Sequence, residues 1–245
     1  MPPSPYLSII IPAYNEANRL PGTLEKIRSF SEQQPYQAET IVVENGSVDQ
    51  TFQIAQAFAH KHKGFRAIQS KQRGKGLAVK EGMLQAQGQY RFMCDADLSM
   101  PIAEVNRFLP PNIPNPEIVI ASREASGSVR YNEPAYRHWG GRTINLFIRL
   151  LAIPGLRDTQ CGFKLFRADI AEDIFRYQTF SGISFDPEIL YIALLRGYRI
   201  VELPIPWYYD PESRIHLVKD TLALIRDLLA IRRNARRGLY EPPPA

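Results

Sequence analysis

Cysteine and long hydrophobic runs are both scarce in this chain of 245 residues. The two cysteines, Cys94 and Cys161, have neither metal-ligand spacing nor the number that a disulfide framework needs, which favours a reducing compartment. The longest apolar stretches, 144–153 and 221–231, are interrupted by polar or charged residues and fall short of the ~20 residues of a spanning helix. The opening residues, Met1–Pro5, lack the basic and apolar regions of a secretion signal. The sequence therefore predicts a cytoplasmic protein.

Negative charge is also in short supply. The chain has 30 lysines and arginines against 25 aspartates and glutamates, so its net charge is +5 and its pI is near 9.2. Such a balance suits nucleic acid, an anionic membrane surface or a phosphate-rich substrate. The sequence contains no recognised nucleic-acid-binding motif and no stripe of interleaved basic and aromatic residues, so nucleic acid is not an expected partner.

Short apolar strands alternate with segments of helical spacing through the first half of the chain. The predicted strands are 7–11, 40–43, 65–69, 90–94 and 118–121, and the predicted helices are 17–30, 49–62 and one that ends at Ala86. This alternation is typical of an α/β fold with a mostly parallel, doubly wound sheet flanked by helices. Further helices are predicted over 137–151 and 215–237, and the length favours one domain, 1–245.

Four polar segments follow the predicted strands: 12–16, 44–47, 73–76 and 95–97. In a doubly wound sheet, ligands bind outside the carboxyl ends of the strands, so these segments are expected to meet at one edge. Each segment alone contains residues that are ordinary in turns. Their shared position is the stronger indication of a binding site.

Asp95-Ala96-Asp97 is the most informative of these segments, because two carboxylates directly follow a short apolar strand. Carboxylates so placed can hold a hard divalent cation that bridges the protein to a diphosphate. The alternative for the same residues is an exposed turn before the helix that starts near Pro101.

Basic residues near the same edge could neutralise phosphate. Arg73-Gly74-Lys75-Gly76 offers two cations and a helix N-terminus, although such a turn is also common on surfaces. Arg123, after a strand, and Arg214, before the final helix, are further candidates.

These motifs together resemble the family 2 inverting glycosyltransferases of GT-A fold, with the match carried by 8–16, 44–51 and 95–97. Asp158-Thr159-Gln160-Cys161-Gly162-Phe163-Lys164-Leu165-Phe166, with 185–188 and 212–214, is similar to the dolichyl-phosphate β-glucosyltransferase and polyprenyl-phosphate glycosyltransferase branch. The resemblance implies that 1–122 binds a nucleotide sugar and that 123–245 forms the acceptor side.

The resemblance also implies individual roles. The residues that it assigns to the nucleotide are Pro12, Tyr14, Glu16, Val42, Glu44, Lys75, Asp95 and Arg123. Asp97, together with Asp95, would hold Mg²⁺ or Mn²⁺. The family usually has Asp-Asp-Gly-Ser where this chain has Glu44-Asn45-Gly46-Ser47, so the contact with uracil is expected to be longer or different.

The chemistry depends on the acceptor. A metal at Asp97 and the guanidinium of Arg214 would stabilise the departing diphosphate. A hydroxyl acceptor needs a carboxylate base, for which Asp158 is the first candidate and Asp186 the second. A lipid phosphate arrives ionised, and Asp158 would then orient sugar or acceptor groups. Asp158 could also be an ordinary turn residue.

The sequence thus predicts a metal-dependent glycosyltransferase that moves glucose from UDP-glucose to a polyprenyl phosphate. A hydroxyl acceptor and a non-catalytic nucleotide-sugar-binding module remain alternatives.

The final helix carries an apolar stripe of Val218, Leu222, Ile225 and Leu229 followed by Arg232, Arg233, Arg236 and Arg237. This pattern favours peripheral contact with an anionic membrane at its cytoplasmic face, unless the stripe completes the core.

Overall fold

The computed structural model describes residues 4–134, residue 148 and residues 153–210 and 217–241. The predicted helix over 137–151 falls almost entirely outside these residues, and so does Arg214. For the first part of the final helix, residues 217–222, the backbone alone is described.

The first half of the chain alternates strands and helices as predicted. The elements are β1 (Leu7–Ala13), α1 (Leu20–Glu32), β2 (Ala38–Glu44), α2 (Thr51–Lys61), β3 (Phe65–Gln69), α3 (Lys75–Gln85) and β4 (Tyr90–Met93). Helix α1 starts three residues later than predicted, with Pro21 in its first turn, where proline's missing N–H costs nothing.

The second half is less regular. A 3₁₀ helix (Ile102–Phe108) leads to β5 (Ile118–Ser122), β6 (Val129–Tyr131), β7 (Lys164–Arg167), α4 (Ala168–Tyr177), α5 (Phe185–Leu195), β8 (Ile200–Pro204), β9 (Pro206–Tyr208) and α6 (Leu217–Arg236).

Seven of the described strands form one sheet in the order β3-β2-β1-β4-β7-β5-β8. All neighbouring pairs are parallel except those of β7, which runs antiparallel between β4 and β5. The predicted fold, a mostly parallel sheet with flanking helices, is therefore confirmed. β6 and β9 form a separate two-stranded parallel sheet.

Each central strand supplies both faces of the large sheet. In β1, Leu7, Ile9 and Ile11 belong to one hydrophobic cluster, whereas Ile10 belongs to the other. Alternating residues of a strand point to opposite faces, so a continuous apolar strand must be covered on both sides. This packing fixes the register and brings the strand ends to one edge.

Helix α6 packs through a face that differs from the predicted stripe. Leu224, Leu228 and Ile231 are buried in the core, while Leu229 is 53% exposed. At 100° per residue, Ile225 and Leu229 lie beside this core face rather than in it. Across the described residues, no helix is both long and apolar enough to span a bilayer.

Candidate active site

The carboxyl ends of β1, β2 and β4 bring three polar segments together. Ala13 lies opposite Glu44 in the parallel ladder, and Ile10 lies opposite Met93. The chain leaves β1 and β2 at neighbouring points, and Asp95 follows two residues after β4. The predicted meeting of these segments follows from the strand register.

The loops after β1 and β2 are tied to each other by side chains. The N–H of Asn15 donates to Oγ of Ser47 at 2.9 Å, and the N–H of Val48 donates to Oδ1 of Asn15 at 2.9 Å. The N–H of Glu16 donates to Oγ1 of Thr51 at 2.8 Å. These hydrogen bonds satisfy backbone donors outside the helices and hold the loops after β1 and β2 in one shape.

The Asp95–Asp97 turn is fixed from two sides. The hydroxyl of Thr23 on α1 donates to the carbonyl oxygen of Ala96 at 2.6 Å, and the N–H of Ser99 donates to Oδ1 of Asp97 at 2.9 Å. The side chain of Asp97 is exposed at the cleft edge. Partial desolvation and the neighbouring charge of Asp95 raise its pKa above the ordinary value.

Lys75, in the first turn of α3, forms an ion pair of 2.5 Å with Oδ1 of Asp95. Burial alone would lower the pKa of Lys75, but Asp95 and the more distant Asp186 raise it. Lys75 therefore stays charged at neutral pH. Lys75, the candidate phosphate-binding residue, therefore contacts Asp95 directly.

A second, buried ion pair lies behind the first. Nζ of Lys164 contacts a carboxylate oxygen of Asp186 and donates to the carbonyl oxygen of Cys161 at 2.6 Å. Burial raises the pKa of Asp186, and Lys164 and Lys75 offset part of this rise. Lys164 is completely buried, so its ammonium group is shielded from solvent.

Asp158 holds Arg123 in a two-pronged ion pair. Nε and Nη2 of Arg123 donate to the two carboxylate oxygens at 2.7 and 2.9 Å, and the N–H of Arg123 adds a bond of 3.0 Å. Burial alone would raise the pKa of Asp158, but the charge and hydrogen bonds of Arg123 hold it at about 2. The guanidinium also lies 5.6 Å from the ring centre of Trp207.

Asp97 thus has no ion pair in the described part of the chain, whereas Asp95, Asp158 and Asp186 each have one. The described residues contain no group of three side chains that could hold a metal by themselves. Mg²⁺ and Mn²⁺ accept one or two carboxylates when phosphate oxygens and water complete the shell. The residues at this edge fit a divalent ion bound jointly by Asp97 and a diphosphate.

Comparisons with known proteins identify the family of this chain. Residues 8–175 match the family described as Glycosyl transferase family 2. This chain belongs to glycosyl transferase family 2. It is therefore a glycosyltransferase, as the sequence predicted.

Curated relatives resemble nearly all of this glycosyltransferase. A dolichyl-phosphate beta-glucosyltransferase of Trichomonas vaginalis is 33% identical over 98% of the chain and 74% of the relative. Proteins of the same name from Dictyostelium discoideum and Homo sapiens are each 31% identical, over 96% and 97% of the chain and 76% and 78% of the relative.

Solved structures share the fold. Glucosyl-3-phosphoglycerate synthase of Mycobacterium tuberculosis in complex with UDP superposes with a TM-score of 0.66 at 16% identity, covering 98% of this chain and 82% of the other. The same enzyme with Mn²⁺ and UDP-glucose gives a TM-score of 0.63 over 96% and 79%. These neighbours support the GT-A fold.

The other predicted nucleotide contacts of the glycosyltransferase occupy different depths. Tyr14 lies at the cleft edge under the guanidinium of Arg73, whose carbon is 4.4 Å from the ring centre. Oε2 of Glu16 lies 2.6 Å from Nε of Arg19 in an ion pair. Pro12 is partly exposed near the end of β1, whereas Val42 is buried in the hydrophobic cluster under the cleft.

Glu44 and Asn45, which depart from the family's usual pair of aspartates, are both buried. One carboxylate oxygen of Glu44 accepts from the N–H of Ser47. Oε2 of Glu44 and Oδ1 of Asn45 have no hydrogen-bond partner among the described residues. Buried acceptors without partners are costly, so this pair fits a ligand that brings N–H donors.

Sequence reasoning assigned no role to three residues of this site: Gly162, Lys164 and Arg19. Gly162 and Lys164 lie in the 158–166 motif, and Lys164 is recognisable there as a charge within an apolar strand. Arg19 stands three residues after Glu16, the spacing of a helical ion pair. Its contact with Asp210, after β9, depends on tertiary structure.

Proposed function

We propose that the chain is an inverting glycosyltransferase that moves glucose from UDP-glucose to a polyprenyl phosphate of the dolichyl type, with Mg²⁺ or Mn²⁺ held at Asp97. The observation that carries the choice of acceptor is the Asp158–Arg123 pair. We further propose that residues 1–245 act as one domain, with 1–122 binding the donor and 123–245 forming the acceptor side.

The choice of a UDP donor is supported by the polar residues at the carboxyl ends of the strands. Glu44 and Asn45 present buried acceptors, as a uracil N–H requires. Lys75 offers a cation beside Asp95, and Asp97 offers a carboxylate that has no ion pair within the described ranges of the chain. A structural neighbour was crystallised with Mn²⁺ and UDP-glucose, and the curated relatives are named for glucosyl transfer to dolichyl phosphate.

The choice of a phosphate acceptor is supported by the state of the candidate bases. Asp158 is completely buried, has a pKa of about 2, and uses both oxygens to bind Arg123. Asp186 is buried against Lys164. Neither is placed to take a proton from a hydroxyl at neutral pH. A phosphate oxygen needs no base, because it is already ionised.

The reaction then requires one displacement. An acceptor phosphate oxygen forms a bond to the anomeric carbon of glucose while the bond to the donor diphosphate breaks, and the electron pair leaves with UDP. A divalent ion held at Asp97 would supply Lewis-acid stabilisation of that leaving group. Lys75 contributes positive charge at the start of α3, and Asp158 keeps Arg123 oriented at the same side of the sheet. We expect Arg214 to add a further cation.

We also propose that the second apolar face of α6 contacts an anionic membrane surface at its cytoplasmic side. The core face of this helix is occupied by Leu224, Leu228 and Ile231, but Leu229 is exposed. Arg232, Arg233, Arg236 and Arg237 follow this face along the sequence. An apolar face that ends in arginines suits the boundary between acyl chains and anionic headgroups.

A transfer assay tests the proposed function. The purified chain is incubated with radiolabelled UDP-glucose, Mg²⁺ or Mn²⁺, and either a polyprenyl phosphate or the matching polyprenol, which lacks the phosphate. We expect labelled product with the phosphate alone, and loss of product on chelation of the metal. Equal transfer to the polyprenol would contradict the phosphate acceptor, and binding of UDP-glucose without turnover would favour a binding module.

A further inference from the structure

A short segment, 178–181, lies against the turn that begins α3; we refer to it as the strap. The N–H of Gly76 donates to the carbonyl oxygen of Ser181 at 2.8 Å. Nε2 of Gln178 donates to the carbonyl oxygen of Gly76, also at 2.8 Å. The strap is therefore bonded in both directions to the turn that carries Lys75.

The strap and the turn also touch through their backbones. A β-carbon on Gly74 would lie 2.5 Å from the carbonyl oxygen of Ser181, and one on Gly76 would lie 2.6 Å from that of Phe180. Such distances leave no space between the two segments. A shift of the strap must therefore shift the turn, and with it Lys75 and its ion pair to Asp95.

One buried carboxylate fixes the strap. Glu188, in the first turn of α5, is completely buried. It accepts from the N–H of Thr179 at 2.9 and 3.0 Å, from its hydroxyl at 2.5 Å, and from the N–H of Phe180 at 2.8 Å. Bonds to an ionised acceptor are stronger than those between neutral groups.

A further donor to Glu188 comes from the C-terminal end of the described chain. The hydroxyl of Tyr240, whose ring is buried, donates to Oε1 of Glu188 at 2.8 Å. Burial and the charge of Glu188 raise the pKa of Tyr240, which keeps the phenol protonated and donating. The turn after α6 is thereby joined to the strap.

We propose that Glu188 and Tyr240 are positioning residues for the donor site, which hold Lys75 in place through the strap. Within the described chain, neither residue has a hydrogen bond or an ion pair with Lys75 or Asp95. Both therefore act through the strap. The position of the C-terminal turn thus sets the affinity for the metal-bound nucleoside diphosphate. This inference rests on the proposed function for the identity of the ligand.

The test compares Tyr240→Phe with Tyr198→Phe. Each replacement removes a phenol that donates to a carboxylate, since the hydroxyl of Tyr198 donates to Asp173 at 2.9 Å. Tyr198 has no hydrogen bond to the strap. Titration calorimetry with UDP and Mn²⁺ gives the affinity, and hydrogen exchange reports on the peptide that contains Gly76.

We expect Tyr240→Phe to weaken UDP–Mn²⁺ binding roughly three- to tenfold, as for one lost hydrogen bond of ordinary strength, and to speed exchange at Gly76. Tyr198→Phe should leave the affinity and the exchange rate unchanged, even if its unfolding temperature falls as much as that of Tyr240→Phe. Thr179→Val, at an exposed position, removes another donor to Glu188 and should give a smaller change in the same direction.

Two results would overturn the inference: unchanged affinity and exchange in Tyr240→Phe, or equal losses in both tyrosine variants. If the unaltered protein binds no UDP, the proposed function fails. Exchange at Gly76 then decides about the strap by itself, and an unchanged rate in Tyr240→Phe would reject it.

Discussion

Gly162 lies directly against Asp95: a β-carbon at this glycine would be 2.1 Å from Oδ2 of the carboxylate. The 158–166 motif therefore supplies charged groups and also a glycine whose lack of a side chain leaves room for the carboxylate of Asp95. Because the carboxylate occupies this space, Oδ1 remains in position to pair with Lys75.

We predict that Gly162→Ala displaces Asp95 and breaks its pair with Lys75. Affinity for UDP with Mn²⁺ should fall on the order of tenfold, because loss of the ordered cation costs about one charged hydrogen bond. Calorimetric titration measures the change. Gly22→Ala is the control, since no atom lies within 4 Å of the added carbon there. Equal affinity in both variants would show that the site tolerates the displacement.

We predict that Asp97→Asn abolishes Mn²⁺-dependent nucleotide binding while leaving the fold intact. The carboxylate is exposed and has no ion pair with a described residue, so its loss costs little stability, but an amide is a poor ligand for a hard cation. Electron paramagnetic resonance of Mn²⁺ with UDP measures binding, and Asp169→Asn, at an exposed surface pair, is the control. Full Mn²⁺ binding in Asp97→Asn would remove this residue from the metal site.

We predict that Asp158→Asn weakens transfer to a polyprenyl phosphate moderately rather than abolishing it. The change removes the partner that orients Arg123, whereas it leaves an ionised acceptor able to attack. Transfer to a hydroxyl acceptor through a base at Asp158 would instead fall by the 10²–10⁴-fold typical of a lost general base. Initial rates at saturating donor, with phosphate and alcohol acceptors compared, separate the two cases.

The same ion pair predicts how stability depends on pH. The pKa of Asp158 is about 2 in the folded chain, against about 3.9 in an unfolded one, so its contribution is present above pH 4 and is lost as pH falls towards 2. We expect the free energy of unfolding to fall by up to about 2 kcal/mol across this window from this residue alone. Urea unfolding at several pH values measures it, and Asp158→Asn should flatten the dependence.

We predict that α6 carries the membrane-binding charge. Replacing Arg232, Arg233 and Arg236 with glutamine should reduce flotation with anionic vesicles on the order of tenfold or more, since each cation near the surface contributes about 1 kcal/mol. Glutamine at Lys61, Lys63 and Lys71, which are exposed in the donor half, removes the same charge as a control. Equal losses would indicate nonspecific attraction, and flotation with neutral vesicles would point to Leu229 instead.

The pattern of apolar residues along the sequence was enough to predict the strands of residues 1–122. Continuous apolar runs such as that of β1 can be buried only in a two-sided sheet, and the helices between them show their spacing directly. The second half was harder, because β7 is a short strand whose antiparallel place between β4 and β5 depends on distant partners.

What the sequence determined by itself is therefore the chemistry available at the sheet edge: the paired acids after β4, the glycine-flanked Lys75 and the family they indicate. Only the tertiary structure decided how those charges are shared. Asp158 is bound to Arg123, Asp186 to Lys164 and Asp95 to Lys75, which leaves Asp97 without an ion pair among the residues that the structure describes. The physical reason is that the pairing and pKa of a carboxylate depend on burial and on cations brought from other elements, and residue spacing along the chain does not encode these distances.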